Sequence, residues 1–117
     1  MQNKSTKIKM DEEVLRKAGL SHFCFFDAIA ELPYVEAIYL FGSRARGDFR
    51  KNSDIDLAIK YSDDDKWHRK VVNLIINEIS DTFLHIDVVD LNDMKLDSEF
   101  REMLNSEKAA IYDRCAN

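Results

Sequence analysis

Residues 40–57 read LFGSRARGDFRKNSDIDL, and the fold of the chain turns on them. Leu40 and Phe41 run into Gly42-Ser43, ten residues follow from Arg44 to Ser53, and then Asp54 and Asp56 stand one residue apart. Residues 35–41 are apolar and aromatic, the composition of a buried strand. Gly42 breaks that strand, residues 43–47 have room for one helical turn, and residues 48–53 are polar and turn-like. Residues 54–60 form a second strand. Its side chains alternate, so Asp54 and Asp56 share one face while Ile55, Leu57 and Ile59 take the other. The pattern predicts a sheet with one wet, functional face and one packed face.

Working outward, residues 84–91 form a third strand, with His85, Asp87 and Val89 on one face and Leu84, Ile86 and Val88 on the other. Asp90 falls near the strand end on the apolar side and is expected to cap or turn. Between the second and third strands lies a long helix capped by Ser62. Asp63, Asp64 and Asp65 sit in its first turn, where the dipole favours acids, and Trp67, Val71, Leu74, Ile75 and Ile79 form its buried stripe. Asp97 or Ser98 opens a further helix carrying Phe100, Met103 and Leu104, and residues 109–112 close as a strand. On the N-terminal side Ser21 caps a helix with Phe23, Phe26, Ile29 and Ala30 on one face, ended by Leu32-Pro33. Residues 11–18 suit a short helix stopped by Gly19, and residues 1–9 a polar, lysine-containing terminus. The order lacks regular βαβ alternation. It predicts an α+β (mixed α/β) domain with a mixed sheet and helices packed on one face. The chain divides into an N-terminal arm or short helix over 1–18 and a single domain over 19–117.

At 117 residues the chain has room for one small domain with a modest core. Its net charge is -5, a balance that argues against nonspecific nucleic-acid binding, which needs cations to neutralise phosphates. Arg44, Arg46, Arg50 and Lys51 nevertheless make a local basic patch, as do Lys4, Lys7 and Lys9. Two cysteines, Cys24 and Cys115, provide neither a disulfide framework nor metal-ligand spacing and suit a reducing cytoplasm. No apolar run is long enough to span a bilayer and no signal peptide is visible, so a cytoplasmic location is expected.

Strand, Gly-Ser, ten residues, Asp-x-Asp and a later strand Asp suit nucleotidyl transfer. An acceptor oxygen attacks the α-phosphorus of a nucleoside triphosphate while pyrophosphate leaves in line, and two Mg²⁺ ions can hold the attacking and leaving oxygens. Mg²⁺ prefers carboxylate oxygens. Asp54 and Asp56 on one strand face, joined by Asp87 from another strand, are the expected metal ligands. Without cations three such carboxylates would repel one another and raise at least one pKa. Gly42 lets backbone approach a phosphate, and Ser43 supplies a hydroxyl and an early-helix N–H. Arg44 or Arg46 adds charge-assisted bonds to phosphate oxygens. Asp87 is the expected general base as well as a ligand. His85 shares the face of Asp87 and is read as an ordinary strand-surface histidine. Each piece alone has an ordinary structural reading; their ordered combination is the specific signal.

Gly42-Ser43, Gly47, Ser53-Asp54-Ile55-Asp56-Leu57 and Asp87 within His85-Ile86-Asp87-Val88-Val89-Asp90 resemble the minimal nucleotidyltransferases (MNT proteins) of the DNA polymerase β-like superfamily. The resemblance extends over residues 19–114. It implies a polymerase β-like core, Mg²⁺ and a nucleoside triphosphate, usually ATP. It also implies a partner: a small all-helical HEPN protein, commonly an RNase toxin, for which the MNT protein is the antitoxin, in some systems by adenylylating a tyrosine. By residue, Gly42 and Ser43 would bind triphosphate, Asp54 and Asp56 metal, and Asp87 metal and the acceptor. Arg44 and Arg46 fall at variable positions. Two alternatives stay open: transfer to a small acceptor, as in aminoglycoside nucleotidyltransferases, and neutralisation of the partner by masking alone.

Overall fold

A computed structural model of the chain describes residues 9–21, 23–80 and 82–116. Residues 1–8 of the expected N-terminal arm, including Lys4 and Lys7, lie outside them. Strands β1 (Val35–Phe41), β2 (Ile55–Tyr61), β3 (Ile86–Asp90) and β4 (Ala109–Asp113) form one sheet in the order β3-β2-β1-β4. β1 is antiparallel to both β2 and β4, whereas β2 and β3 run parallel. A parallel pair needs a crossover, and helix α4 supplies it. The helices are α1 (Glu12–Lys17), α2 (Phe25–Ala30), α3 (Ser43–Arg46), α4 (Lys66–Glu78) and α5 (Ser98–Glu107). None of the described helices is long and apolar enough to cross a membrane.

The packed face is the one expected. Ile38 and Leu40 of β1, with Ile55, Leu57 and Ile59 of β2, are wholly buried in one cluster with Phe25, Phe26 and Ile29 of α2 and Val72, Ile75 and Ile76 of α4. Burial of each such aliphatic side chain contributes about 1.5–3 kcal/mol. Leu15 and Ala18 belong to the same cluster. The Asp11 N–H donates to the Ile111 carbonyl at 2.8 Å, so the segment 11–18 packs against the domain.

Helices do not all lie on one face, however. Phe100, Met103 and Leu104 of α5 pack on the opposite side, against Phe41, Ala58 and Val89. Phe41 and Phe100 meet edge to face at 5.9 Å. Ala58 pairs with Val89 two residues beyond the pairing of Asp56 with Asp87. The second face is therefore apolar at one end, where α5 sits, and acidic at the other.

Helix α4 differs from expectation at its start and in its buried stripe. Its N-cap is Asp65, which accepts from the Trp67 N–H at 2.8 Å, in place of Ser62. Asp63 instead bonds His68 at 2.7 Å and Arg69 at 3.0 Å. Val72, Ile75 and Ile76 face the sheet, while Trp67, Leu74 and Ile79 are 66%, 58% and 58% exposed. Polar anchors decide between the two apolar stripes: Arg69 Nε donates to Asp90 Oδ2 at 2.9 Å, and His68 stacks on Tyr34 at 3.6 Å. Asp90 turns the chain as expected, accepting from the Asn92 N–H. Helix α2 begins at Phe25 without a side-chain cap, later than Ser21 suggested.

Candidate active site

The chain leaves β1 at Gly42 with φ +75° and ψ -157°. That region is strained for any residue with a Cβ. A Cβ at this position would also lie 2.3 Å from Asp56 Oδ2. Gly42 thus serves the turn and the close approach together, and its backbone rests against a carboxylate. The single turn of α3 follows. Gly47 closes it at φ +94°, with its N–H donating to the Ser43 carbonyl at 2.9 Å. The Ser43 hydroxyl makes no hydrogen bond among the described residues.

Strand register assembles the acids. Phe41 pairs with Asp56, and Asp56 with Asp87. The Ile55 N–H donates to the His85 carbonyl at 2.9 Å, tying the start of β2 to the start of β3. Asp54, His85 and Asp87 each offer a ligand atom within 4.8 Å of the others. Burial pushes the Asp56 carboxyl above the ordinary range, and the charges of Asp87 and Asp54 push it further. The second of these causes is the repulsion expected of clustered carboxylates without a cation. The group of Asp54, His85 and Asp87 differs from the expected set of Asp54, Asp56 and Asp87: His85 is in it and Asp56 is not, and Asp54 and His85 stand just before β2 and β3. The hard carboxylate oxygens of Asp54 and Asp87 suit Mg²⁺, so the residues present fit such an ion through those two acids.

His85 is more than the strand-surface histidine expected of it. Its Nε2 lies 2.8 Å from Asp87 Oδ1, and that hydrogen bond, with the charge of Asp87, raises the imidazole pKa. Shared strand parity with Asp87 was the available signal.

The two arginines of α3 have opposite placements. Arg44, expected at the phosphates, is 4% exposed. Its guanidinium donates to the carbonyls of Ala18 (2.7 Å), Lys51 (3.2 Å) and Ser53 (3.1 Å), and stands over the Phe49 ring at 4.7 Å. It clamps the loop between β1 and β2, and those carbonyls take it out of the phosphate-facing set. Arg46 is exposed and donates to Asp48 and to Glu107, each at 3.2 Å.

Glu107 had no sequence signal at all. It ends α5, and its Oε1 accepts from the Gly42 N–H at 3.2 Å. Its partners, Gly42 and Arg46, lie 65 and 61 residues away in the chain, beyond the reach of any local pattern.

Residues 27–116 match the family profile described as Polymerase beta, Nucleotidyltransferase. A curated relative, the protein adenylyltransferase MntA of Aphanizomenon flos-aquae (strain 2012/KM1/D3), is 40% identical over 45 residues. That stretch is 38% of this chain and 29% of the relative, so the chain matches less than a third of its length. Among solved structures, a toxin-antitoxin with AMP-PNP is similar at TM-score 0.53 and 22% identity, over 86% of this chain and 68% of that one. A candidate nucleotidyltransferase of Sulfolobus solfataricus is similar at TM-score 0.53 and 23% identity, over 97% of this chain and 91% of that one. The fold, the Gly-Ser turn set against Asp56 and the extent of the profile match lead to one assignment: the chain belongs to the polymerase β nucleotidyltransferase family.

Proposed function

We propose that the chain is a Mg²⁺-dependent protein adenylyltransferase. It moves AMP from ATP to a hydroxyl, a tyrosine, on a small helical HEPN-type toxin, and thereby acts as the antitoxin. The observation that carries this reading is the register of Asp56 opposite Asp87 with the Gly42 backbone set against Asp56. A phosphate cradle and an acid cluster are thereby one continuous surface. The family match supports nucleotidyl transfer, the adenylyltransferase relative supports AMP as the group moved, and the AMP-PNP-bound toxin-antitoxin complex supports ATP and a toxin partner.

In this reading the Gly42 and Ser43 backbone and the Ser43 hydroxyl hold the triphosphate, with Arg46 beside them. Asp54, Asp56 and Asp87 would hold Mg²⁺, which when bound neutralises charge on the reacting phosphate. Asp87 accepts the proton of the attacking hydroxyl. The new bond joins that oxygen to the α-phosphorus, the bond from the α-phosphorus to the bridging oxygen breaks, and pyrophosphate leaves with the electron pair. Asp56, partly buried against Gly42, fixes the reacting centre relative to the cradle.

Transfer of label from α-labelled ATP to the purified partner tests the proposal. Wild type should label the toxin, and Asp54→Ala and Asp56→Ala should not. Equal labelling by those variants, or none by wild type, overturns it. Neutralisation that survives Asp56→Ala points to masking, and turnover on a small acceptor without the partner points to small-molecule chemistry.

A further inference from the structure

The donors that should meet phosphate are already holding an anion, and that anion is the protein's own. Glu107 Oε1 accepts from the Gly42 N–H, and its Oε2 accepts from Arg46 Nη1, each at 3.2 Å. The Glu107 side chain is 19% exposed and its contact with Gly42 is partly buried, while the Arg46 end of the pair is open to water. Glu107 reaches the cradle from α5, which among the described helices is the one whose Phe100, Met103 and Leu104 pack on the acid-bearing face. We propose that Glu107 is an internal placeholder for phosphate: its carboxylate occupies the Gly42–Arg46 donor pair and must swing away when a triphosphate enters. This deepens the proposed function, since it rests on the cradle binding a polyphosphate.

One backbone N–H cannot serve two anions, and Arg46, which already donates to Asp48 as well as Glu107, has the facing part of its fork occupied. A carboxylate already on them competes with the incoming group. The Arg46 charge that Glu107 holds is also one that offsets Asp56 in the acid cluster, together with that of His85. A ligand displaces Glu107 by engaging both donors at once. A polyphosphate, with oxygens spread over several phosphorus atoms, can do so while reaching the acids; a lone phosphate presents less charge and a shorter span. The placeholder thus keeps the cradle ordered when empty and selects for the longer anion. The movement needed is local, because Glu107 is the last residue of α5 and precedes the extended Lys108.

Equilibrium binding of ATP and of inorganic tripolyphosphate to the full chain tests this, using wild type, Glu107→Gln and Glu107→Ala, each checked for folding by thermal melt. Both variants should bind tripolyphosphate and ATP more tightly, by about tenfold, the scale of one charge-assisted hydrogen bond. They should also discriminate less between tripolyphosphate and orthophosphate. A merely structural Glu107 would move affinity the other way, because a disordered cradle binds worse. Unchanged or weaker tripolyphosphate binding in both folded variants overturns the placeholder. Tripolyphosphate binding that tightens as expected, with no ATP binding by any form, upholds the placeholder and overturns the adenylyl-transfer reading. No tripolyphosphate binding by any form overturns the placeholder whatever ATP does.

Discussion

On one face of β2, Ile55, Leu57 and Ile59 are wholly buried; on the other, Asp56 sits among Asp54, Asp87 and His85. Alternation along a single strand makes both. The apolar side gains stability from every atom it buries. The acidic side carries desolvation and mutual repulsion together: the upward push on Asp56 comes from burial first and from the charges of Asp87 and Asp54 after it. A sheet can carry such a cluster because the opposite face supplies the packing, so the two faces should respond to substitution in opposite ways.

The largest effect should come from the acidic face. Asp56→Ala is expected to reduce adenylyl transfer by about a thousandfold, the scale seen when a group acting on developing charge is removed. Its melting temperature should not fall. A variant that loses activity only because it unfolds would break the contrast. On the packed face, Leu57→Ala should cost about 2–5 kcal/mol in urea titration, through lost burial and a residual cavity. Folded Leu57→Ala should keep its nucleotide affinity.

A smaller contrast lies within α3. Arg44→Ala should destabilise by about 2–3 kcal/mol, because it strands carbonyls and removes buried volume. Arg46→Ala should cost less than about 1 kcal/mol, since its ion pairs are exposed. Denaturant midpoints with unchanged slopes would confirm both, and equal losses would erase the distinction between clamp and binder.

The smallest expected effect is one of pH. The Asp56 carboxyl is raised in the folded state, so the fold binds that proton more tightly than the unfolded chain does. Stability from this group is therefore highest at low pH. It declines as pH rises from the ordinary carboxylate value, about 3.9, through the raised folded value. With chelator present, Asp56→Asn should be more stable than wild type above that window and should flatten the melting-temperature profile across it. A less stable Asp56→Asn at neutral pH would show that the carboxylate is satisfied in a way its neighbours do not suggest.

Much of this was legible in the residues. β1, the α3 turn and β2 lie close together in the chain, and the strand period alone puts Asp54 and Asp56 on one face. Asp87 could be placed because it too sits in a strand of clear alternation. What was not legible depends on distant partners. Arg44 looked like a phosphate ligand by position, and only contact with Ala18, 26 residues earlier, and with its own loop reveals a clamp. Glu107 depends on how α5 is laid on the sheet. The stripe of α4 was misread because both candidate stripes are apolar and include Ile75; Arg69, His68 and their remote partners choose between them.

Arg44 also bears on the order in which the molecule assembles. β1 and β2 pair across a short loop, whereas β1 and β4 join Ala37 to Asp113. Closing a short loop loses less chain entropy, and near contacts tend to form early. A side chain that binds the carbonyls of Lys51 and Ser53 tightens that closure from within. The hairpin bearing Gly42, Ser43, Asp54 and Asp56 is then expected to lead refolding, with Asp87 and Glu107 arriving afterwards. Arg44→Ala should slow the refolding limb of a chevron plot, while Glu107→Gln should leave it where it was.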